Sequence, residues 1–105
     1  MKVVVLAGGT GGAKLALGFQ GVLAPGDLTV ITNTGDDLEV HGLLISPDTD
    51  SVLYRLAGLF NPDTGWGVVR ETFASQSMLE RYGAESWFNL GDQDLATHIL
   101  RTLLI

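Results

Sequence analysis

The chain contains no cysteine, which excludes a disulfide framework and any thiolate metal site. It is also poor in positive charge, with six Lys+Arg against twelve Asp+Glu and a formal net charge of -6. Such a balance repels a phosphate backbone, so nucleic acid is not an expected partner, although a nucleotide carried with a metal ion is compatible with it. Long apolar runs are missing as well. The run over residues 3–7 is too short for a secretory signal core and far too short to span a bilayer, so the expected setting is cytoplasmic, with no membrane partner. Charged residues make up only 17% against 46% hydrophobic, and mean hydropathy is +0.28. A chain of 105 residues with that composition buries a core and is read as a single globular unit over 1–105.

What is present is glycine, 14 residues of it, concentrated where one element hands over to the next. Val3, Val4, Val5 and Leu6 read as a strand covered on both faces, as in a parallel sheet. The run Gly8-Gly9-Thr10-Gly11-Gly12 ends it, a helix follows over residues 13–23, and Pro25-Gly26 stops that helix. Residues 28–32 supply a second strand, which completes a βαβ unit. Further on, Ser46-Pro47-Asp48 opens a helix whose Val52, Leu53, Leu56, Ala57 and Phe60 share one face, with Asn61-Pro62-Asp63 closing it. Residues 73–81 predict a helix and 87–90 a short strand. Gly91-Asp92 opens a last helix with Leu95, Ala96, Ile99, Leu100 and Leu103 as its core stripe. The fold class is therefore α/β: a Rossmann-like parallel sheet with flanking helices. The sheet is small and the chain ends on the apolar Leu103-Leu104-Ile105, so the expectation is the incomplete N-terminal portion of a longer protein that self-associates as a homo-oligomer.

The glycine run lies where the first strand feeds the first helix, the place where α/β proteins hold phosphates. Gly8, Gly9, Thr10, Gly11 and Gly12, with Lys14 behind them, are the candidate nucleotide phosphate-binding residues. Gly11 is expected at a positive φ. Ala13 precedes Lys14, so the run is not a Walker A loop, and Lys14 stands where a dinucleotide fingerprint has its third glycine. Asp36, Asp37, Asp48 and Asp50 then crowd the carboxyl-end rim of the sheet. Clustered carboxylates are relieved by a cation, which makes Mg²⁺ bridging to substrate phosphates one reading; helix-dipole complementation and a solvated turn make the other. Asp94 and His98, spaced i, i+4, either form a metal or proton-relay pair or serve as a helix start and a surface histidine. Trp66, Trp87 and Phe88 read as core, although Trp66, set between two glycines, suits a pocket wall.

The blocks V-L-A-G-G-T-G-G-A-K-L from Val5, N-T-G-D-D from Asn33, I-S-P-D-T-D-S-V-L-Y from Ile45 and L-G-D-Q-D-L-A-T-H from Leu90 resemble the 2-phospho-L-lactate transferase family of coenzyme F(420) biosynthesis. The resemblance implies a Mg²⁺-dependent transferase. Its donor is a guanosine diphosphate-linked lactate or the enolpyruvate counterpart. The terminal ribityl hydroxyl of the deazaflavin Fo attacks phosphorus, and GMP leaves. It also implies that the loop from Gly8 to Gly12 holds nucleotide phosphates, that Asp50 contacts the deazaflavin and that Asn89 is a second deazaflavin contact. From the placement of the carboxylates themselves, Asp50 is the candidate catalytic residue, orienting the attacking hydroxyl, and Asp36, Asp37 or Asp48 are the candidate metal contacts. At Asn89 and Gln93 relatives usually carry a basic residue. A non-catalytic regulator that binds a nucleotide sugar or NAD on a related scaffold would share the glycine loop without needing the S-P-D-T-D block.

Overall fold

The computed structural model describes residues 1–105, and they gather into two compact units, Met1–Asp37 with Ser46–Phe60 and Leu38–Ile45 with Asn61–Ile105. The first unit is β1 (Val3–Ala7), α1 (Thr10–Gln20), β2 (Leu28–Thr32) and α2 (Pro47–Leu56). β1 and β2 pair in parallel, from Val3 opposite Leu28 to Ala7 opposite Thr32. α1 begins three residues earlier than its sequence suggests, so Gly11 and Gly12 lie inside its first turn. The reason is steric. A Cβ on Gly12 would lie 2.5 Å from Ala7 Cα, whereas one on Gly11 would meet nothing within 4 Å. Gly12 thus lets the helix backbone rest on the strand, and the fully buried Ala13 and Ala16 continue the contact. Ala7, Ala13 and Val52 form the core here, with Val30 and Leu56 packed against them.

Only one face of β1 is covered. Val5 and Ala7 are buried, while Val4 and Leu6 are 61% and 75% exposed, so the expected two-sided burial holds on one side alone. α2 has Pro47 in its first turn as predicted, but the Ser46 hydroxyl makes no capping bond and donates to Asp37 Oδ2 at 3.0 Å instead. The helix stops at Leu56, short of Phe60, because Gly58 turns left-handed at φ 73. Leu59 N–H then reaches Tyr54 O and Gly58 N–H reaches Arg55 O, the paired bonds of a Schellman ending.

The second unit holds the antiparallel hairpin β3 (Leu38–Val40) and β4 (Leu43–Ile45), then α3 (Ala74–Arg81) and α4 (Asp92–Leu104). His41 and Gly42 form its turn at φ 54 and 76, the left-handed pair that a tight two-residue hairpin requires. Val40, Ile45 and Leu90 are its core, flanked by Leu38 and Phe88. The strand expected over 87–90 does not form; Leu90 N–H donates to Gln76 Oε1 at 2.6 Å rather than to a neighbouring strand.

α4 is oriented opposite to its predicted stripe. Ile99, Leu100 and Leu103 are 42%, 58% and 78% exposed, while His98 is buried. The inward residues satisfy the open edge of β4: Leu44 N–H donates to Thr102 Oγ1 at 2.8 Å and Arg101 donates to Leu44 O at 3.1 Å. A helix side chain thereby replaces a missing strand partner.

α3 and α4 cap each other. The Asp92 carboxylate accepts Thr72 Oγ1–H and the Ala74 and Ser75 N–H groups at the start of α3. The Glu71 carboxylate accepts the Gln93 and Asp94 N–H groups at the start of α4. Each helix start supplies free N–H groups and partial positive charge, the start of α3 to a carboxylate of α4 and the start of α4 to Glu71 in the segment that leads into α3. No helix is long and apolar enough to cross a membrane.

Two measurements check this packing. Gly12→Ala should destabilise the protein by about 1–3 kcal/mol through overpacking, whereas Gly11→Ala should raise stability by roughly 0.5–1 kcal/mol; urea unfolding of both variants reads the contrast. The donors around Asp92, led by the Thr72 hydroxyl and the Ser75 N–H, lower its pKa from 3.8 to about 2. A carboxylate with a depressed folded pKa stabilises the fold above its unfolded value and loses that contribution as pH falls. The unfolding midpoint should therefore drop as pH goes from 3.8 to about 2, and Asp92→Asn should flatten that acid limb.

Candidate functional site

In the first unit, β1 and β2 end side by side, and their carboxyl ends carry Gly8-Gly9 and Asn33. Gly9 is the position that needs glycine for its conformation, with φ 128 and ψ −141; the positive φ expected at Gly11 falls here, because Gly11 is helical. Gly9 stands at the N-cap of α1 and its carbonyl accepts Ala13 N–H at 2.9 Å. The amides of the first turn, from Thr10 to Gly12, are therefore without intrahelical acceptors and face outward from the rim.

Asp48, in the first turn of α2, comes to this loop. Its Oδ1 lies 3.5 Å from where a Gly9 Cβ would sit, and its Oδ2 accepts Asn33 Nδ2–H at 3.1 Å. Asn33 is held in turn: its N–H donates to Ala7 O, and its Oδ1 accepts Gly35 N–H, both at 3.0 Å. Thr32 and Thr49 hydroxyls meet at 2.7 Å behind them. Sequence reading gave Asn33 no role of its own, yet it is the residue that ties the second strand's end to Asp48. Its position directly after a β-strand, before a Gly-Asp turn, was the available signal. A shallow depression of about 290 Å³, lined by Leu6, Ala7, Gly8, Ile31, Thr32 and Asn33, opens on this rim.

The remaining candidates of this unit are distributed around that centre. Asp37 accepts the Ser46 hydroxyl, Asp36 is exposed in the preceding turn, and Lys14 is exposed in the second turn of α1 beside Leu15 and Gly18. Asp50 is buried at 5% exposure, and its N–H makes the first α-helical bond to Ser46 O at 2.9 Å. The structure thus brings Asp48 to the glycine loop directly, and Asp37 to the start of the helix that carries Asp48 and Asp50.

In the second unit, Asn89 is exposed and its Oδ1 accepts Gln76 Nε2–H at 3.4 Å. Gln93 uses its amide on the Val69 and Arg70 carbonyls. His98 is not a surface histidine: it is 1% exposed, with Nε2 3.0 Å from Asp94 Oδ2 and Nδ1 3.3 Å from Arg101 Nη1. Because a guanidinium only donates, Nδ1 is the acceptor and Nε2 carries the hydrogen that faces Asp94, a tautomer assigned from these partners. The polar spacing 94, 98, 101, 102 was legible as a helical stripe, but the apolar stripe beside it was the stronger signal.

The chain is 49% identical to a phosphoenolpyruvate transferase of Streptomyces avermitilis over 106 aligned residues, which covers all of this chain and 33% of that protein. It is 49% identical to the phosphoenolpyruvate transferase of Streptomyces coelicolor, with the same coverage, and 44% identical to that of Mycolicibacterium smegmatis, of which it covers 35%. The chain therefore spans about a third of the length of the curated relatives it matches. With the glycine-capped helix on a parallel sheet come residues 3–105 matching the profile of 2-phospho-L-lactate transferase CofD, and the chain belongs to that family.

Proposed function

We propose that these residues form the donor-binding part of a transferase that moves a phosphoenolpyruvyl or phospholactyl group from a guanosine diphosphate-linked donor to the ribityl hydroxyl of the deazaflavin Fo, in coenzyme F(420) biosynthesis. The observation that carries the reading is the Gly9 cap with Asp48 beside it in a chain of this family. The similarity to phosphoenolpyruvate transferases favours the enolpyruvyl donor. In the reaction, the hydroxyl oxygen forms a bond to the phosphorus that bears the enolpyruvyl group, the bridging P–O bond to the guanylate breaks, the hydroxyl proton goes to solvent, and GMP departs.

The free N–H groups at the start of α1 bind diphosphate oxygens, and Gly9 keeps the approach clear. Asp48 is suited to Mg²⁺, since a carboxylate oxygen beside a phosphate loop is the usual protein share of such a site, and Asp36 and Asp37 lie on the same rim. When bound, the ion supplies neutralisation of charge on the diphosphate. Asn33 fixes the Asp48 carboxylate through its amide. Asp50 orients the attacking hydroxyl. Its contribution is alignment, since phosphoryl transfer depends mainly on positioning and charge neutralisation. Asn89 is the second deazaflavin contact.

The deciding experiment incubates the full-length protein with Fo and each guanosine diphosphate-linked donor and follows products by mass spectrometry; no phosphodiester product with either donor overturns the assignment. Asp50→Asn should cut turnover by about 10²–10³-fold, measured at a temperature where the variant is fully folded because the carboxylate is buried. Gly9→Ala should weaken GMP binding by roughly tenfold or more in calorimetry, while Gly11→Ala leaves it nearly unchanged.

A further inference from the structure

The segment 61–73 of the second unit encloses a cavity of about 250 Å³ lined by Thr64, Trp66, Val68, Arg70, Glu71 and Phe73 among others. Its frame is internally bonded: Asn61 N–H donates to Gly67 O, Gly65 N–H to Asn61 O, and the Thr64 hydroxyl to Trp66 O at 2.6 Å. Trp66 and Phe73 stand edge to face with ring centroids 6.4 Å apart, and Trp66 remains 47% exposed. Two aromatic rings left open to water around a preformed concavity are the usual walls of a small-molecule site.

Arg70 sits among them at φ 57, a left-handed conformation that a long side chain adopts only under constraint. The same loop uses glycine where it needs this geometry, at Gly65 and Gly67 with φ 77 and 75. A bare turn at position 70 would be better served by glycine as well. Gln93 locks the strained turn by donating to both the Val69 and Arg70 carbonyls, at 3.2 and 3.1 Å. The adjacent carboxylate does not neutralise Arg70. Glu71 keeps its negative charge at the cavity edge, but its oxygens are taken up by the N–H groups of Thr72, Gln93 and Asp94 and the partial positive charge of the α4 start offsets it, so the guanidinium is the charged donor the cavity offers to a ligand.

We infer that this cavity binds a planar aromatic group carrying an anionic substituent, with Trp66 and Phe73 as its walls and Arg70 as its anion contact. The volume is just below the ~300–1,000 Å³ of sites that enclose a drug-sized ligand, which suits one ring system. The site is argued from this unit alone and does not depend on the proposed transfer reaction.

The test uses the full-length protein labelled with ¹⁵N and follows the indole N–H resonances of Trp66 and Trp87 during titration with 1-naphthyl phosphate and with 1-naphthol. The expected result is a saturable shift of Trp66 with Trp87 unmoved, and binding of 1-naphthol weaker by about tenfold for want of the anion. Arg70→Gly should weaken 1-naphthyl phosphate by a similar factor while the melting temperature stays level or rises, because glycine relieves the strained φ. Arg70→Lys should keep most of the affinity. An unshifted Trp66, or an Arg70→Gly variant that binds 1-naphthyl phosphate as tightly as the parent, overturns the inference.

Discussion

The first unit depends on one close approach, the backbone of α1 at Gly12 against the backbone of β1 at Ala7. A helix that rests directly on a strand, with Ala13 and Ala16 beneath it, has no side-chain layer to adjust its height or angle. Its start is then fixed to within the width of a backbone. That fixes Gly9 at the N-cap, and Gly9 in turn sets where the free N–H groups of the first turn point. α2 packs its Val52 into the same cluster, which carries Asp48 to the loop. The glycine run is thus two devices in one stretch: Gly9 for conformation, Gly12 for packing.

The second unit solves a different problem, which is how to satisfy backbone groups with little sheet to pair them. A two-stranded hairpin leaves its edges open, and the side chains of α4 close one of them at Leu44. The two helices exchange carboxylates at their starts, Glu71 for α4 and Asp92 for α3. Charge-assisted bonds of this kind are stronger than neutral ones. They allow a unit with a core as small as Val40, Ile45 and Leu90 to hold defined loops, including the strained turn at Arg70.

The family and the strand–loop–helix order were legible because they rest on local signals: an apolar run, a break at glycine, a proline at a helix start. The parallel pairing of the first two strands followed from that order. The hairpin over 38–45 was missed, since β3 is short and polar outside Leu38 and Val40, and its turn depends on His41 taking a conformation that its residue type does not announce. Helix ends were misplaced where a single glycine decided them, as at Gly58 after α2. Of the site, the glycine loop and Asp48 were visible as residues, but Asn33 as the link between them was not, because a hydrogen bond between positions 33 and 48 has no sequence period to reveal it.

By itself, then, the sequence determined the α/β class, the family and which residues could bear charge or yield to a phosphate, all of which depend on residue type and on neighbours a few positions away. The tertiary structure alone decided which glycine is steric and which conformational, which face of α4 turns inward, and which carboxylate meets the loop. The helix carries both an apolar stripe and a polar one, and periodicity cannot rank them. The unpaired N–H and C=O groups of Leu44 can: burying them without partners costs more than leaving Ile99 and Leu100 in water. That demand is made by a strand 57 and 58 residues away from the side chains that meet it, a distance over which sequence pattern carries no information.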